Sequence, residues 1–165
     1  EVIAALRVHL EKWCDLLPRK IDLNLKRGGG GNADGLLEDF HRSCAILAER
    51  ERASGLPLVG PHRDDLIIGC EGRPAPEVLS RGQRRRAALA LVMAAASAVE
   101  RRNRASPVLL FDEVASELDE AGRTVLMECL QHSRWQVFAA TAESTLPWFQ
   151  GTRWRVSAGK IQRCD

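Results

Sequence analysis

No stretch of this sequence is apolar for long enough to cross a membrane. The longest apolar run, 87–99, is interrupted only by Ser97, whereas a spanning helix needs about 20 apolar residues. The amino-terminal residues also lack the basic start of a signal peptide. These absences predict a cytoplasmic protein with no membrane partner. An initiating methionine is missing as well, which suggests a fragment of a longer protein.

Cysteine pairs with metal-ligand spacing are missing too. The five cysteines are odd in number and scattered along the chain, so a zinc site is not predicted. Single cysteines of this kind are typical of a reducing compartment, where they behave as small apolar residues. With 165 residues, 45% of them hydrophobic, the chain is large enough for one soluble domain with its own core.

Neither sign of charge dominates the whole chain, since the formal net charge is only +2. The distribution is uneven, however, because residues 81–104 contain seven arginines and a single acid, Glu100. A local excess of this kind can contact phosphate. The alternative is an ordinary charged helix face in contact with solvent.

A P-loop, the phosphate-binding motif G-x-x-x-x-G-K-[ST], is absent. The sequence has four lysines, and only Lys160 follows a glycine; the next residue is Ile161, which has no hydroxyl. The glycine run at 28–31 lacks both the lysine and the hydroxyl and is interpreted as a linker. The chain alone is therefore predicted not to hydrolyse a nucleotide.

The hydrophobic pattern predicts an α/β fold. Apolar spacing and helix start and stop signals predict helices at 1–17, 36–53, 81–103 and 117–132. Strands are predicted at 21–25, 66–69, 108–112 and 137–140, with a bend at 72–74 and a terminal hairpin that turns at 157–159. The order strand, helix, strand near the carboxyl end implies a parallel pair.

Two adjacent acids follow the most apolar predicted strand. The run 108–111 is typical of a strand that is buried on both faces, and Asp112 and Glu113 stand at its carboxyl end, where open α/β sheets bind ligands. Adjacent carboxylates repel each other unless a cation lies between them and their partners, and Mg²⁺ prefers such oxygen ligands. We expect Asp112 to hold the ion and Glu113 to orient and deprotonate an attacking water. The alternative is an acidic strand end that leads into a helix N-terminus.

The sequence Leu-Ser-Arg-Gly-Gln at 79–83 begins the longest predicted helix. The first N–H groups of a helix have no internal partner, and together with the helix dipole they form an anion site. Gly82 allows a phosphate to approach the backbone, while the Ser80 hydroxyl and the Gln83 amide add donors and Arg81 adds charge. The alternative is a simple N-cap at Ser80 without a ligand.

Two further groups of polar residues have both structural and functional interpretations. Ser116 and Asp119 have the spacing of a helix cap, with Asp119 in the first turn, but they closely follow the strand-end acids. The turn that contains Arg63 is dense in polar residues; a metal site is not expected there, whereas a phosphate contact by Arg63 is plausible on chemical grounds.

The order of these motifs resembles the signature, Walker B and D-loop order of ATP-binding cassette and SMC-like ATPases. Five segments narrow the resemblance to the RecF family of bacterial DNA replication and repair proteins, over about 36–163. They are GPHRDDL at 60–66, EVLSRGQ at 77–83, LLFDEVASELD at 109–119, QVFAATAE at 136–143 and WRVSAGKI at 154–161. The resemblance implies the carboxyl-terminal part of a P-loop NTPase head, with a helical signature subdomain at 1–106 and a parallel-sheet Walker B part at 107–165.

The resemblance also implies a function. It predicts an ATP-dependent homodimer in which the signature residues of one protomer face the ATP of the other, with Mg²⁺ as cofactor and Ser116 and Asp119 along the interface. Thr141 occupies the region where transporter-type cassettes have a switch histidine. DNA, both duplex and single-strand gaps, and RecO-, RecR- and RecA-type proteins are the implied partners. The candidate DNA contacts are Arg63, Arg84, Arg85 and Arg86.

Two other interpretations remain open at the level of the sequence. The chain could be a non-catalytic DNA- or protein-binding module that retains the shape of such a head and lacks the P-loop. It could also belong to another SMC-like head, although the long heptad repeats of that class are not seen in this sequence.

Overall fold

The computed structural model describes residues 2–29, 35–113, 118–142 and 150–164. Two short 3₁₀ turns, Cys14–Leu16 and Pro61–Arg63, accompany the regular elements. The helices are α1 (Val2–Lys12), α2 (Leu36–Ser54), α3 (Ala75–Val78), α4 (Arg81–Asn103) and α5 (Glu120–Gln131). The strands are β1 (Ile21–Lys26), β2 (Asp65–Cys70), β3 (Arg73–Pro74), β4 (Val108–Asp112), β5 (Gln136–Ala140), β6 (Arg153–Ser157) and β7 (Lys160–Cys164).

Helix α4 lies at the centre of the core. It is rich in alanine, the best helix former, and its buried residues recur at helical spacing along one face: Ala87, Ala90, Met93, Ala94 and Ser97. Small side chains let α1 pack closely against this face. The buried Trp13 indole donates a hydrogen bond of 2.9 Å to the Ser97 hydroxyl, which satisfies both polar groups inside the core.

One cluster of buried residues joins the segment around α1 to the residues that precede β5. The rings of Trp13 and Trp135 lie 5.3 Å apart in this cluster. Burial raises the pKa of the Cys129 thiol, so this cysteine remains a neutral, apolar packing residue at physiological pH. The division of the chain into a helical subdomain at 1–106 and a Walker B part at 107–165 stays a prediction.

The strands β1, β2 and β3 form an antiparallel sheet in that order. The Arg7 guanidinium of α1 donates to the Leu23 carbonyl on the open side of β1, so a cation covers part of a sheet edge that could otherwise pair with another chain. The predicted bend is confirmed, because β3 returns along β2 through a turn at Glu71 and Gly72, both with positive φ.

The parallel pair that the sequence predicts near the carboxyl end is confirmed. Strands β4 and β5 pair in parallel from Val108 opposite Gln136 to Asp112 opposite Ala140, with α5 between them along the chain. The expectation that β4 is buried on both faces is wrong for this chain. Leu109 is buried, but Leu110 is 77% exposed and Phe138 of β5 is 55% exposed, because no described element covers that face of the pair.

The terminal hairpin is also confirmed. Strands β6 and β7 pair antiparallel, with Ser157 opposite Lys160. Ala158 and Gly159 form the two-residue turn, and both have positive φ, at 47° and 74°. Two positive φ values match the turn type whose twist fits paired strands.

Two predicted helix boundaries need correction. The helix predicted at 1–17 ends at Lys12 and is followed by a 3₁₀ turn, because Trp13 and Leu16 donate to carbonyls only three residues earlier. The helix predicted from 117 begins at Glu120. In the described part of the chain, no helix is long and apolar enough to cross a membrane.

Candidate composite nucleotide-binding site

The start of α4 carries a complete capping box. The Ser80 hydroxyl accepts from the Gln83 backbone N–H at 3.3 Å, and the Gln83 side-chain carbonyl accepts from the Ser80 N–H at 2.9 Å. The cap therefore uses the oxygen atoms of both side chains. The Ser80 hydroxyl hydrogen and the Gln83 NH₂ group are the donors that this arrangement leaves for a ligand.

The tip of α4 is open to solvent. Ser80, Arg81 and Gly82 are exposed, and a Cβ built on Gly82 would meet no atom within 4 Å. A phosphate can therefore approach the backbone N–H groups at the positive end of a 23-residue helix. The geometry that the predicted anion site requires is present, and the binding role of these residues stays a prediction.

The three arginines that follow the tip differ in their surroundings. Arg84 is exposed, and Arg85 is half-buried. Arg86 packs inward: its guanidinium donates to the Asp15 carbonyl at 3.3 Å, and its Cδ would lie 3.3 Å from a Cβ placed on Gly122. Arg86 thus connects the start of α4 to the start of α5, and any DNA contact by this residue has to be compatible with that packing.

Asp112 and Glu113 lie at the carboxyl end of the parallel pair, as predicted. Glu113 has a φ of 50°, in the left-handed region. Its N–H donates to the Ala140 carbonyl at 3.0 Å, and its carboxylate accepts from the Ala142 N–H at 3.1 Å. A left-handed non-glycine residue costs about 1–3 kcal/mol and persists where its surroundings hold it, often at functional sites. Here the end of β5 fixes both the backbone and the carboxylate.

An open cavity of about 260 Å³ lies beside Asp112. Its lining residues are Leu110, Phe111, Asp112, Phe138, Ala139 and Ala140. Thr141 follows directly after this edge and is half-buried. The carboxyl edge of the sheet therefore combines an apolar wall with two carboxylates.

Asp119 is the N-cap of α5. Its carboxylate accepts from the Gly122 N–H at 2.8 Å, which corrects the prediction that Asp119 lies inside the first turn of a helix capped by Ser116. Ser116 lies outside the described residues. The interface roles of both residues stay predictions.

Arg63 is exposed on a turn that the glycine run supports. A Cβ on Gly28 would lie 2.7 Å from the Arg63 carbonyl carbon, and the Gly28 N–H donates to the Asp64 carboxylate at 2.8 Å. Gly29 is buried, and its carbonyl accepts from the Ser43 hydroxyl. For these two glycines the interpretation as a linker is wrong. The contacts are between residues far apart in sequence, so no local pattern indicated them.

The donor set at the sheet edge fits magnesium better than zinc. Across the described ranges no three His, Cys, Asp or Glu side chains form a group that could hold a metal ion. Mg²⁺ needs only one or two protein carboxylates, because waters and phosphate oxygens complete its shell. Asp112 alone meets that requirement, and Glu113 remains available as a base.

The described residues have a known fold. It is that of the carboxyl-terminal part of a P-loop NTPase head of the ATP-binding cassette and SMC-like type. A solved structure of the recombination mediator protein RecF-ATP in the RecFOR pathway superposes on 99% of this chain and 44% of its own, with a TM-score of 0.77 and 22% identity. A RecF structure with ATPγS gives the same TM-score. At that identity the likeness shows the fold alone.

The sequence comparisons then give the particular resemblance, which is to RecF. The DNA replication and repair protein RecF of Thioalkalivibrio sulfidiphilus is 35% identical over 142 residues, which are 86% of this chain and 39% of that protein. RecF of Geobacter sp. strain M21 is 42% identical over 104 residues, and RecF of Chloroflexus aurantiacus is 43% identical over 111. No protein-family model matches the chain. The resemblance predicted from the motifs is confirmed, and the chain spans about two fifths of the length of the relative from Thioalkalivibrio.

Proposed function

We propose that this chain is the carboxyl-terminal part of a RecF-type ATPase head that acts in DNA replication and repair. The single observation that carries the proposal is the exposed, fully capped tip of α4, which leaves the Ser80 hydroxyl hydrogen and the Gln83 NH₂ group for a phosphate. The same chain presents Asp112 and Glu113 at the carboxyl end of a parallel pair. The matched RecF proteins are 34–45% identical to this chain over the aligned residues, which supports the proposal of an activity of the RecF family.

The proposed ATP site is shared between two protomers. Ser80, Arg81, Gly82 and Gln83 of one protomer face the γ-phosphate of ATP that the P-loop side of the other protomer carries. This chain has no P-loop of its own, so turnover needs the complete protein. The favourable contacts between the helix tip and the triphosphate form only in the dimer, and ATP therefore drives dimerisation.

At the strand ends, the proposed roles divide between the two acids. Asp112 would hold Mg²⁺, which would neutralise phosphate charge. Glu113 accepts a proton from the attacking water, and the Ala142 N–H already orients its carboxylate. Thr141, next to that N–H, contributes a polar group at the same edge, while Ser116 and Asp119 lie along the dimer interface.

The proposed macromolecular partner is DNA. Arg63 and Arg84 are exposed and can reach phosphates directly, and Arg85 is half-buried at the start of α4. Arg86 adds its positive charge from a guanidinium that stays on the Asp15 carbonyl. A neighbouring solved structure is described as RecF in the RecFOR pathway. By extension, we propose that this protein acts at single-strand gaps with RecO- and RecR-type proteins and aids RecA loading.

Sedimentation velocity of the complete protein, with and without ATP and gapped DNA, tests this function. The expected result is a monomer without nucleotide, a dimer with ATP, and a dimer that binds gapped DNA. A protein that binds DNA equally well in both states and never dimerises would instead be the non-catalytic module, and the ATPase proposal would be rejected.

A further inference from the structure

The terminal hairpin has two unlike faces. Successive side chains of a strand point to opposite faces, and directly paired residues share a face. The observed register therefore places Trp154, Val156 and Ile161 on one face, together with Arg163, which pairs with Trp154. The opposite face carries the cations Arg153, Arg155 and Lys160 beside Ser157, Gln162 and Cys164.

The cationic face of the hairpin lies opposite its apolar face and therefore faces solvent. An isolated two-stranded hairpin is only marginally stable, so its apolar face needs a cover. Trp154, Val156 and Ile161 are 59%, 71% and 67% exposed among the described residues. Whatever covers these three side chains, the face with Arg153 and Arg155 points away from it and towards solvent.

The charges on this face have one sign only. From 150 to 164 the sequence contains no aspartate or glutamate. A surface that serves solubility alone usually mixes both signs, whereas a stripe of one sign creates a field that attracts a polyanion.

The spacing of the cations favours a repeating ligand. Arg153 and Arg155 are two residues apart on β6, which corresponds to about 6.8 Å along a strand. Lys160 is a diagonal neighbour of Arg155 across the pair, at roughly 7–8 Å. Three cations in a row suit a series of phosphates better than one small anion. A two-stranded ribbon of this size also fits against a duplex groove.

We propose that Arg153, Arg155 and Lys160 contact the phosphate backbone of duplex DNA. The proposal rests on the proposed function, because it assumes a DNA-binding protein. It adds a second basic surface, on the terminal hairpin, to the arginines of α4. The contacts are to phosphates, so binding at this face is independent of base sequence.

The test is the salt dependence of duplex DNA binding by the complete protein with ATP. Removing one cation that binds a phosphate reduces the steepness of log K against log [salt] by about 0.9. Replacing Arg153, Arg155 and Lys160 together with glutamine should reduce the steepness by about 2.7 and weaken binding at least tenfold at physiological salt. Arg155→Gln is compared with Arg163→Gln, which removes the same charge from the opposite face of the hairpin and should leave the slope nearly unchanged.

The outcomes separate the hairpin site from the proposed function. If the parent protein binds duplex DNA and the triple variant has the same slope, the hairpin site is wrong and the proposed function stands. If the parent does not bind duplex DNA at all, both are wrong. Equal effects of Arg155→Gln and Arg163→Gln on the salt slope overturn the assignment to one face. If the parent protein binds a polyglutamate peptide and the triple variant binds DNA as well as the parent, the face belongs to an interaction with an acidic protein. Unfolding midpoints are measured for every variant. If the triple variant proves unstable, the salt slopes of the single variants decide the test.

Discussion

Replacing Ser80 with aspartate separates the two roles that the α4 tip combines. Aspartate is as good an N-cap as serine, so its carboxylate can accept from the Gln83 N–H in place of the hydroxyl. It also adds a negative charge at a helix N-terminus, which stabilises a helix by about 0.3–1 kcal/mol. We therefore expect Ser80→Asp to fold with a free energy of unfolding equal to or slightly above that of the parent.

The same substitution should weaken ATP-driven dimerisation. The new carboxylate has no hydrogen to donate, and it faces the anion that the site is proposed to bind. Two like charges about 4 Å apart repel by roughly 4 kcal/mol at an effective dielectric constant of 20. Because Ser80 is exposed and salt screens part of this repulsion, we expect dimerisation to weaken at least tenfold, which corresponds to about 1.4 kcal/mol.

Two assays on the complete protein measure the two roles. Urea unfolding gives the stability of the parent, Ser80→Asp and Ser80→Ala, and Ser80→Ala should lose about 1 kcal/mol because its cap is missing. Sedimentation velocity with ATP gives the dimer fraction. A Ser80→Asp protein that is stable and dimerises with ATP as well as the parent would refute the proposal that this tip meets a phosphate.

Three further predictions concern single side chains. Glu113→Gln should keep ATP-driven dimerisation but slow ATP hydrolysis at least tenfold, because the amide can still accept a hydrogen bond but cannot take a proton; unchanged turnover removes Glu113 from this role. Gly28→Ala should lower the free energy of unfolding by about 1–3 kcal/mol, because its Cβ would approach a neighbouring carbonyl carbon to 2.7 Å. Its control, Gly82→Ala, has no atom within 4 Å of the added Cβ and should be neutral or stabilising, so equal destabilisation by the two changes contradicts the packing account. Ser97→Ala should cost about 1–3 kcal/mol in urea unfolding, because the buried Trp13 indole N–H loses its acceptor; a cost well below that range means that the indole finds another partner.

Local patterns predicted the elements and the positions of the candidate site. The Ser80 cap, the carboxyl-terminal position of Asp112 and Glu113, and the hairpin turn at Ala158 and Gly159 all depend on residues close in sequence. Periodicity and turn preferences respond to such short-range effects. They were sufficient for the α/β fold and for the parallel pair.

Features that depend on distant contacts could not be predicted. Gly28 is required by the turn at Arg63, and Arg86 packs against Gly122, 36 residues further along the chain. The exposure of Leu110 was also missed, since an apolar run indicates what a strand can bury and not which elements are there to cover it. At α5, Ser116 was the expected cap and Asp119 is the observed one; the sequence alone could not choose between them, because both have a side chain that can cap a helix.

Mixing two inactive variants tests the shared site most directly. In a heterodimer of Ser80→Asp and Glu113→Gln, one of the two sites combines the intact Ser80 of one protomer with the intact Glu113 of the other. If the site is shared, each variant alone should hydrolyse ATP slowly, and the hydrolysis rate of the mixture should exceed the sum of the two separate rates. A mixture that never exceeds that sum, although the heterodimer forms, would mean that Ser80 and Glu113 serve the same ATP within one protomer, and the shared site would be wrong.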